Sequence, residues 1–192
     1  MDQARQRRAD LANAHGRVLS ERAFASHVQI GERRFRERAG LDFEEFEAGQ
    51  LFKHRPGLTI SQQDNVEEAL DTLNRAMLHY DAQYAARTEW GQPLVVSTLT
   101  IQRVIGMTGK TFGKRSRVLG FTEVALRHPV FGGDTLCAET EVRETHDDGH
   151  PSWGRLGLFT RGLNQDGAVV CEIAWDIEVY KRAALPFASA GY

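Results

Sequence analysis

Among the seven histidines of this 192-residue chain, His79 stands where an imidazole could do chemistry. It closes an apolar-faced helical stretch and is followed at once by Tyr80-Asp81, at a helix–loop junction rather than on a solvated face. Imidazole is the side chain whose ordinary pKa lies nearest neutrality, so a neutral ring can take a proton from water and return it. Taken alone, a histidine so placed is more often structural than catalytic. Asp81 and Glu89 lie near it without an evident partner. The two closest pairs among the other histidines, His15/His27 and His146/His150, have no Cys and no clear acidic third ligand, so no metal is expected. No P-loop, no glycine-rich dinucleotide turn and no G-x-S-x-G elbow occurs, so those chemistries have no anchor.

The elements that must position His79 follow from the spacing of apolar residues. Ser61 opens S-Q-Q-D, an N-cap with an acid at the third helical position. Val66, Ala69, Leu70, Leu73 and Met77 then recur on one helical face. A short helical piece covers 82–87, and Pro93 breaks it. Residues 97–108 (STLTIQRVIGMT) predict a largely apolar helix capped by Ser97 or Thr98, with too little polar face for a surface position. From Val118 the period falls to two, and turns at Gly132-Gly133-Asp134, 146–151 and Asn164–Gly167 separate long strands. The result is α+β, an antiparallel sheet wrapped around one buried helix.

Composition bounds the partners. Lys and Arg number 24 against 26 Asp and Glu, a net charge of −2, which offers no strong field for nucleic acid or an anionic membrane. No apolar run is long enough for a membrane span, and no apolar stretch follows the basic N-terminus as in a secretory signal, so a cytoplasmic location is expected. Cys137 and Cys171 sit in apolar strand-like runs and read as reduced core residues. Residues 1–40 are Arg-rich and poor in large apolar groups, an N-terminal arm partly helical (4–14) or loose. The compact domain is expected over 41–182, with a loose tail over 183–192.

The stretch T-L-N-R-A-M-L-H-Y-D-A-Q-Y-A-A-R-T (72–88) resembles the motif T-G-D-x-N-P-L-H-x-D-x-x-Y-A of the MaoC-like dehydratases, the R-specific enoyl-CoA hydratases. The later A-L-R-H-P-V-F-G-G-D-T-L (125–136) is similar to that family's strand-turn signature, in the same order. The motif departs where Asn74 replaces Asp, Ala76 replaces Asn and Met77 replaces Pro. Asn74, R-G-L-N-Q-D-G (161–167) and V-Y-K-R (179–182) resemble the mesaconyl-CoA hydratase-like branch.

The resemblance implies a hot-dog fold and reversible addition of water to a 2-enoyl thioester. His79 would be base and acid, and Asn74 would orient water. Ser97 N–H, with Thr98 beside it, would form the oxyanion hole at the start of the central helix. Arg103 would receive a second substrate carboxylate. A family Ser falls on Ile105, so that hydroxyl is missing. No cofactor is implied; CoA or an acyl carrier protein bears the substrate. A homodimer is expected, with the basic run KTFGKRSR (110–117) a candidate for CoA phosphates. Two rivals remain: a degraded acyl-thioester-binding member or partner subunit, and a hot-dog thioesterase using Asp81 or Glu89.

Overall fold

The computed structural model describes residues 26–184 and residue 189. The chain divides into two units between Arg38 and Ala39. In the first, β1 (His27–Gly31) and β2 (Arg34–Glu37) pair as an antiparallel hairpin. Where the sequence suggested a partly helical or loose arm, residues 27–37 are therefore extended. Val28, Ile30 and Phe35 supply strand-forming residues, and Arg33 turns the chain at φ 56°. The helix expected over 4–14 and nearly all of the tail lie outside the described residues.

The second unit holds β3 (Leu51–Thr59), α1 (Gln62–Asp71), α2 (Ala82–Ala85), α3 (Ser97–Met107), β4 (Arg115–Leu126), β5 (Thr135–His146), β6 (Trp153–Leu163) and β7 (Val169–Tyr180). The strands form one antiparallel sheet in the order β3–β5–β6–β7–β4. Period-two alternation turns Leu136, Ala138, Val142, Leu158, Ile173, Trp175 and Ile177 to one buried face. Against it α3 lays Leu99, Thr100 and Val104. The approach is close enough that a Cβ at Gly162 would come within 2.6 Å of the Val104 side chain, so the helix seats only because β6 carries glycine there. The expected α+β architecture is thus present, with α3 as its central helix.

A polar chain crosses this core. Trp175 Nε1 donates to Thr160 Oγ1 at 2.9 Å, Thr160 and Thr140 share a bond of 2.9 Å, and Thr140 Oγ1 meets His54 Nε2 at 2.9 Å. Thr111 Oγ1 closes it at 3.3 Å from His54 Nδ1. The chain stitches β7, β6, β5 and β3 through groups that would be costly to bury unpaired. Burial pushes the His54 imidazole down to about 4, and the charge of Arg55 acts in the same direction.

This has a pH signature. An unfolded chain binds a proton at His54 near the ordinary imidazole value of about 6.5, whereas the folded chain resists it down to about 4. The stabilisation is therefore complete above the unfolded value and is lost as pH falls towards 4, by on the order of 3 kcal/mol. Urea unfolding from pH 7 to pH 4 is expected to show this loss, and a His54→Gln variant to show a shallower one. Parallel slopes for the two proteins would refute it.

Candidate active site

The segment that presents His79 is fixed at both ends by backbone geometry. Ser61 caps α1 through a reciprocal pair: its hydroxyl accepts from Asp64 N–H at 3.0 Å, and the Asp64 carboxylate accepts from Ser61 N–H at 3.0 Å. The helix stops at Asp71, short of the Met77 limit that its apolar spacing suggested. Leu70, Leu73 and Met77 are consequently exposed rather than part of the core. Asn74 then makes a turn of its own, its Oδ1 accepting Ala76 N–H at 3.1 Å. Ala76 O in turn accepts His79 N–H at 3.1 Å, which opens a single 3₁₀ turn over Met77–His79. Asn74 and His79 therefore belong to one continuous hydrogen-bonded turn. With one lone pair of its oxygen engaged, Asn74 offers solvent both N–H donors of its amide and the remaining lone pair.

The ring of His79 is half-buried, with Nδ1 2.7 Å from Leu94 O. A carbonyl only accepts, so Nδ1 carries the hydrogen, and in the neutral ring the lone pair then lies on Nε2, the tautomer that can act as a base. Leu94 lies three residues before the start of α3. There Val96 O accepts from both Leu99 N–H and Thr100 N–H. Among the described residues the N–H groups of Ser97 and Thr98 have no acceptor, so the positive end of the helix dipole is open. The cap itself differs from expectation. Neither Ser97 nor Thr98 caps the helix; Val96 occupies that position, and its N–H donates to Asn65 Oδ1 at 2.8 Å.

Asn65 was not visible as a site residue. It is fully buried, and its Nδ2 donates to His79 O at 2.9 Å and to Leu94 O at 3.0 Å. Its one sequence signal was a polar residue four positions before Ala69, on the buried face of α1.

A cavity of about 240 Å³ opens beside this terminus, lined by Trp90, Leu94, Val95, Ser97, Thr100 and Leu126, together with Arg127, His128, Pro129 and Val130. Its apolar lining and the free N–H of Ser97 suit an acyl chain ending in a polarisable carbonyl. A second cavity of about 500 Å³ lies on the outer face of the sheet. Its lining mixes Glu144 and Asp176 with Arg155 and His146, and includes neither His79 nor Ser97.

The remaining candidates are engaged elsewhere. Thr98 Oγ1 donates to Glu68 at 3.1 Å, and Arg103 lies 3.6 Å from Asp64 on α1. The Asp81 carboxylate caps α2 by accepting Gln83 N–H and Tyr84 N–H at 2.9 and 3.0 Å. In the basic run, Lys114 pairs with Asp42 at 2.6 Å and Arg117 with Glu178 at 2.8 Å. Among the described residues no group of three or more His, Cys, Asp or Glu could hold a metal. No helix there is long and apolar enough to cross a membrane.

A family profile described as mesaconyl-CoA hydratase matches residues 20–183. A mesaconyl-CoA hydratase of Cereibacter sphaeroides is 30% identical over 147 residues, which are 75% of this chain and 42% of the relative. An (R)-specific enoyl-CoA hydratase of Aeromonas caviae is 34% identical over 86 residues, 44% of this chain and 63% of the relative. The chain thus spans less than two thirds of either relative's length. A solved Mycobacterium tuberculosis protein described as having a double hotdog fold superposes with a TM-score of 0.69 at 22% identity. The match covers 76% of this chain and 46% of that one. The sheet wrapped around α3 is a hot-dog fold.

Leu73 carries the strain of this turn. Its φ is 57°, its N–H donates to Leu70 O at 3.1 Å, and Asn74 N–H reaches back to Ala69 O at 2.8 Å. This is the left-handed helix stop that glycine usually occupies. Here a β-carbon is forced into it while 75% of the side chain remains exposed. Leu73→Gly is expected to stabilise the protein by about 0.5–1 kcal/mol, a rise of roughly 2–4 °C in Tm. Calorimetry showing a lower Tm would mean that Leu73 packs on something in solution.

Proposed function

The chain belongs to the mesaconyl-CoA hydratase family of MaoC-like proteins, and from that premise we propose that it adds water reversibly across the double bond of a 2-enoyl thioester. The supporting observation is the bond of 2.7 Å from His79 Nδ1–H to the carbonyl of Leu94, which itself lies three residues ahead of the open helix terminus, so that in the neutral ring Nε2 is the base. The substrate's thioester oxygen accepts from Ser97 N–H, with Thr98 N–H beside it, where the helix dipole favours the enolate that forms. His79 Nε2 takes a proton from water as its oxygen bonds to C3. The C2–C3 π pair moves onto the thioester as an enolate. The imidazolium then delivers its proton to C2, so H and OH are added and the ring is regenerated. Asn74 holds the water oxygen through its amide N–H, while its own oxygen accepts Ala76 N–H and shapes the turn. No cofactor takes part.

The acyl group occupies the cavity between Trp90 and Val130, on a CoA or carrier-protein thioester. Arg103, the expected partner of a second carboxylate on a mesaconyl-type substrate, lies 3.6 Å from Asp64, and Arg127 beside the cavity is bonded to Glu172 at 2.7 Å, so either must exchange its acid for the substrate's. Of the two bases open to the thioesterase alternative, Asp81 is engaged as a cap, which leaves Glu89. The free thiols Cys137 and Cys171 suit a reducing compartment such as the cytoplasm.

The protein works as a homodimer. Among the described residues β4 is bonded on one side only, to β7, and exposes Val118, Leu119, Phe121, Val124 and Leu126 along its length. A long apolar edge strand of this kind invites a second strand.

Two experiments test this reading. With crotonyl-CoA and mesaconyl-CoA, loss of conjugated absorbance is expected for the wild type. His79→Ala should cut kcat by about 10²–10⁴-fold and Asn74→Ala by roughly 10-fold. Release of free CoA thiol would favour the thioesterase, and tight binding without turnover the degraded member. Light scattering should give twice the 21.6 kDa chain mass, and Val124→Lys should halve it. A monomeric wild type would sink the dimer.

A further inference from the structure

Base and oxyanion terminus come from chain segments fifteen or more residues apart, and one buried side chain touches both. Asn65 donates to the carbonyl of His79 and to the carbonyl of Leu94, the group that fixes the His79 ring. Its oxygen accepts Val96 N–H, directly before Ser97. All three bonds are 2.8–3.0 Å, and the residue is fully buried. Gln62 Nε2 adds a second donor to His79 O at 2.9 Å.

We propose that Asn65 is a positioning residue that locks His79 in its Nδ1–H tautomer and sets the Ser97 N–H against it; this deepens the hydratase reading and rests on it. Only a primary amide suits the place. Two carbonyls need two N–H donors, and one backbone N–H needs an acceptor, all within one small side chain. Leu94 O receives hydrogens from both the His79 ring and Asn65. The amide therefore keeps that oxygen aimed while the ring gains and loses its Nε2 proton. Without Asn65 the carbonyls of residues 79 and 94 lose a shared anchor. The ring can then turn or exchange tautomers, and a misplacement of about 1 Å costs roughly 100-fold in rate.

The test combines kinetics with a signal that needs no substrate. In Asn65→Ala, kcat is expected to fall about 10- to 100-fold while KM stays within about threefold, because the acyl cavity is untouched. Imidazole ¹⁵N spectra, with His79 assigned by its loss in His79→Ala, should show one bare and one protonated nitrogen in the wild type and a tautomer mixture in the variant. Should Asn65→Ala not fold, Asn65→Asp keeps the size and the acceptor but loses the paired donors, and the same mixture is expected. Thr160→Val, which breaks the core chain remote from the site, gives the effect of destabilisation alone. A folded Asn65 variant with a single His79 tautomer overturns the proposal whatever its rate. So does a kcat loss no larger than that of a Thr160→Val protein of equal Tm. If the wild type hydrates neither thioester, the hydratase reading fails by itself, and the ¹⁵N spectra still decide the role of Asn65.

Discussion

The carbonyl oxygen of Leu94 takes a hydrogen from the His79 ring and another from the Asn65 amide. A backbone carbonyl has two lone pairs and no hydrogen to give, so both partners must be donors. That single constraint fixes the tautomer of the imidazole. It also couples three pieces of chain: the turn after α1, the extended strand before α3 and the buried face of α1 itself. Leu94 is further pinned by its N–H to Leu78 O at 3.2 Å and by a bridge to Phe131. The carbonyl is thus anchored both by the turn that carries the histidine, through Leu78, and by the scaffold, through Asn65 and Phe131.

The scaffold must also keep α3 in place while leaving its first N–H groups unused. An uncapped terminus gives up on the order of 1 kcal/mol, so the helix must gain its stability elsewhere. It does so by burying Leu99, Thr100 and Val104 against the sheet, and Gly162 lets it sit close. Elsewhere in the core Phe46, Phe52, Phe112 and Trp175 form one cluster, edge-to-face except for the stacked Phe46–Phe112 pair, to which the His54 polar chain is tied through Trp175. A rigid core thereby carries a terminus whose polar groups remain free for a ligand, the arrangement by which electrostatic stabilisation needs no reorganisation.

What the sequence made legible and what it hid have the same physical basis. The apolar period of 97–107 and the alternation after Val118 reflect burial of whole faces, and both elements lie where that pattern put them. His79 was legible because it lies at a junction and inside a motif. Asn65 was not, because its partners are 14, 29 and 31 residues away, and no local pattern reports such bonds. The same blindness gave Ser97 or Thr98 the cap that Val96 holds. It also left Arg103 free for a substrate, when Asp64 on α1 faces it. Leu73 misled by apolarity: it fitted the helical face, yet the chain reverses there in a conformation that the residue type disfavours. The hairpin over 27–37 was hidden behind its arginines, because charge spacing masked the alternation of Val28, Ile30 and Phe35.

Asn74 bears on how the reaction is divided. A carboxylate at this place could share proton transfer with the imidazole, whereas an amide cannot accept a proton at all. With its oxygen bound to Ala76 N–H, the side chain can orient water but not take its proton. On the hydratase reading, one ring nitrogen must therefore both remove the proton from water and deliver it to C2. A single nitrogen fixed by its ring partner reaches only one face of the double bond, so hydroxyl and hydrogen enter from the same side. The stereochemistry of such a site follows from its tautomer lock. The bonds that hold Leu94 O in place decide which face of the substrate reacts, as well as whether the base is ready.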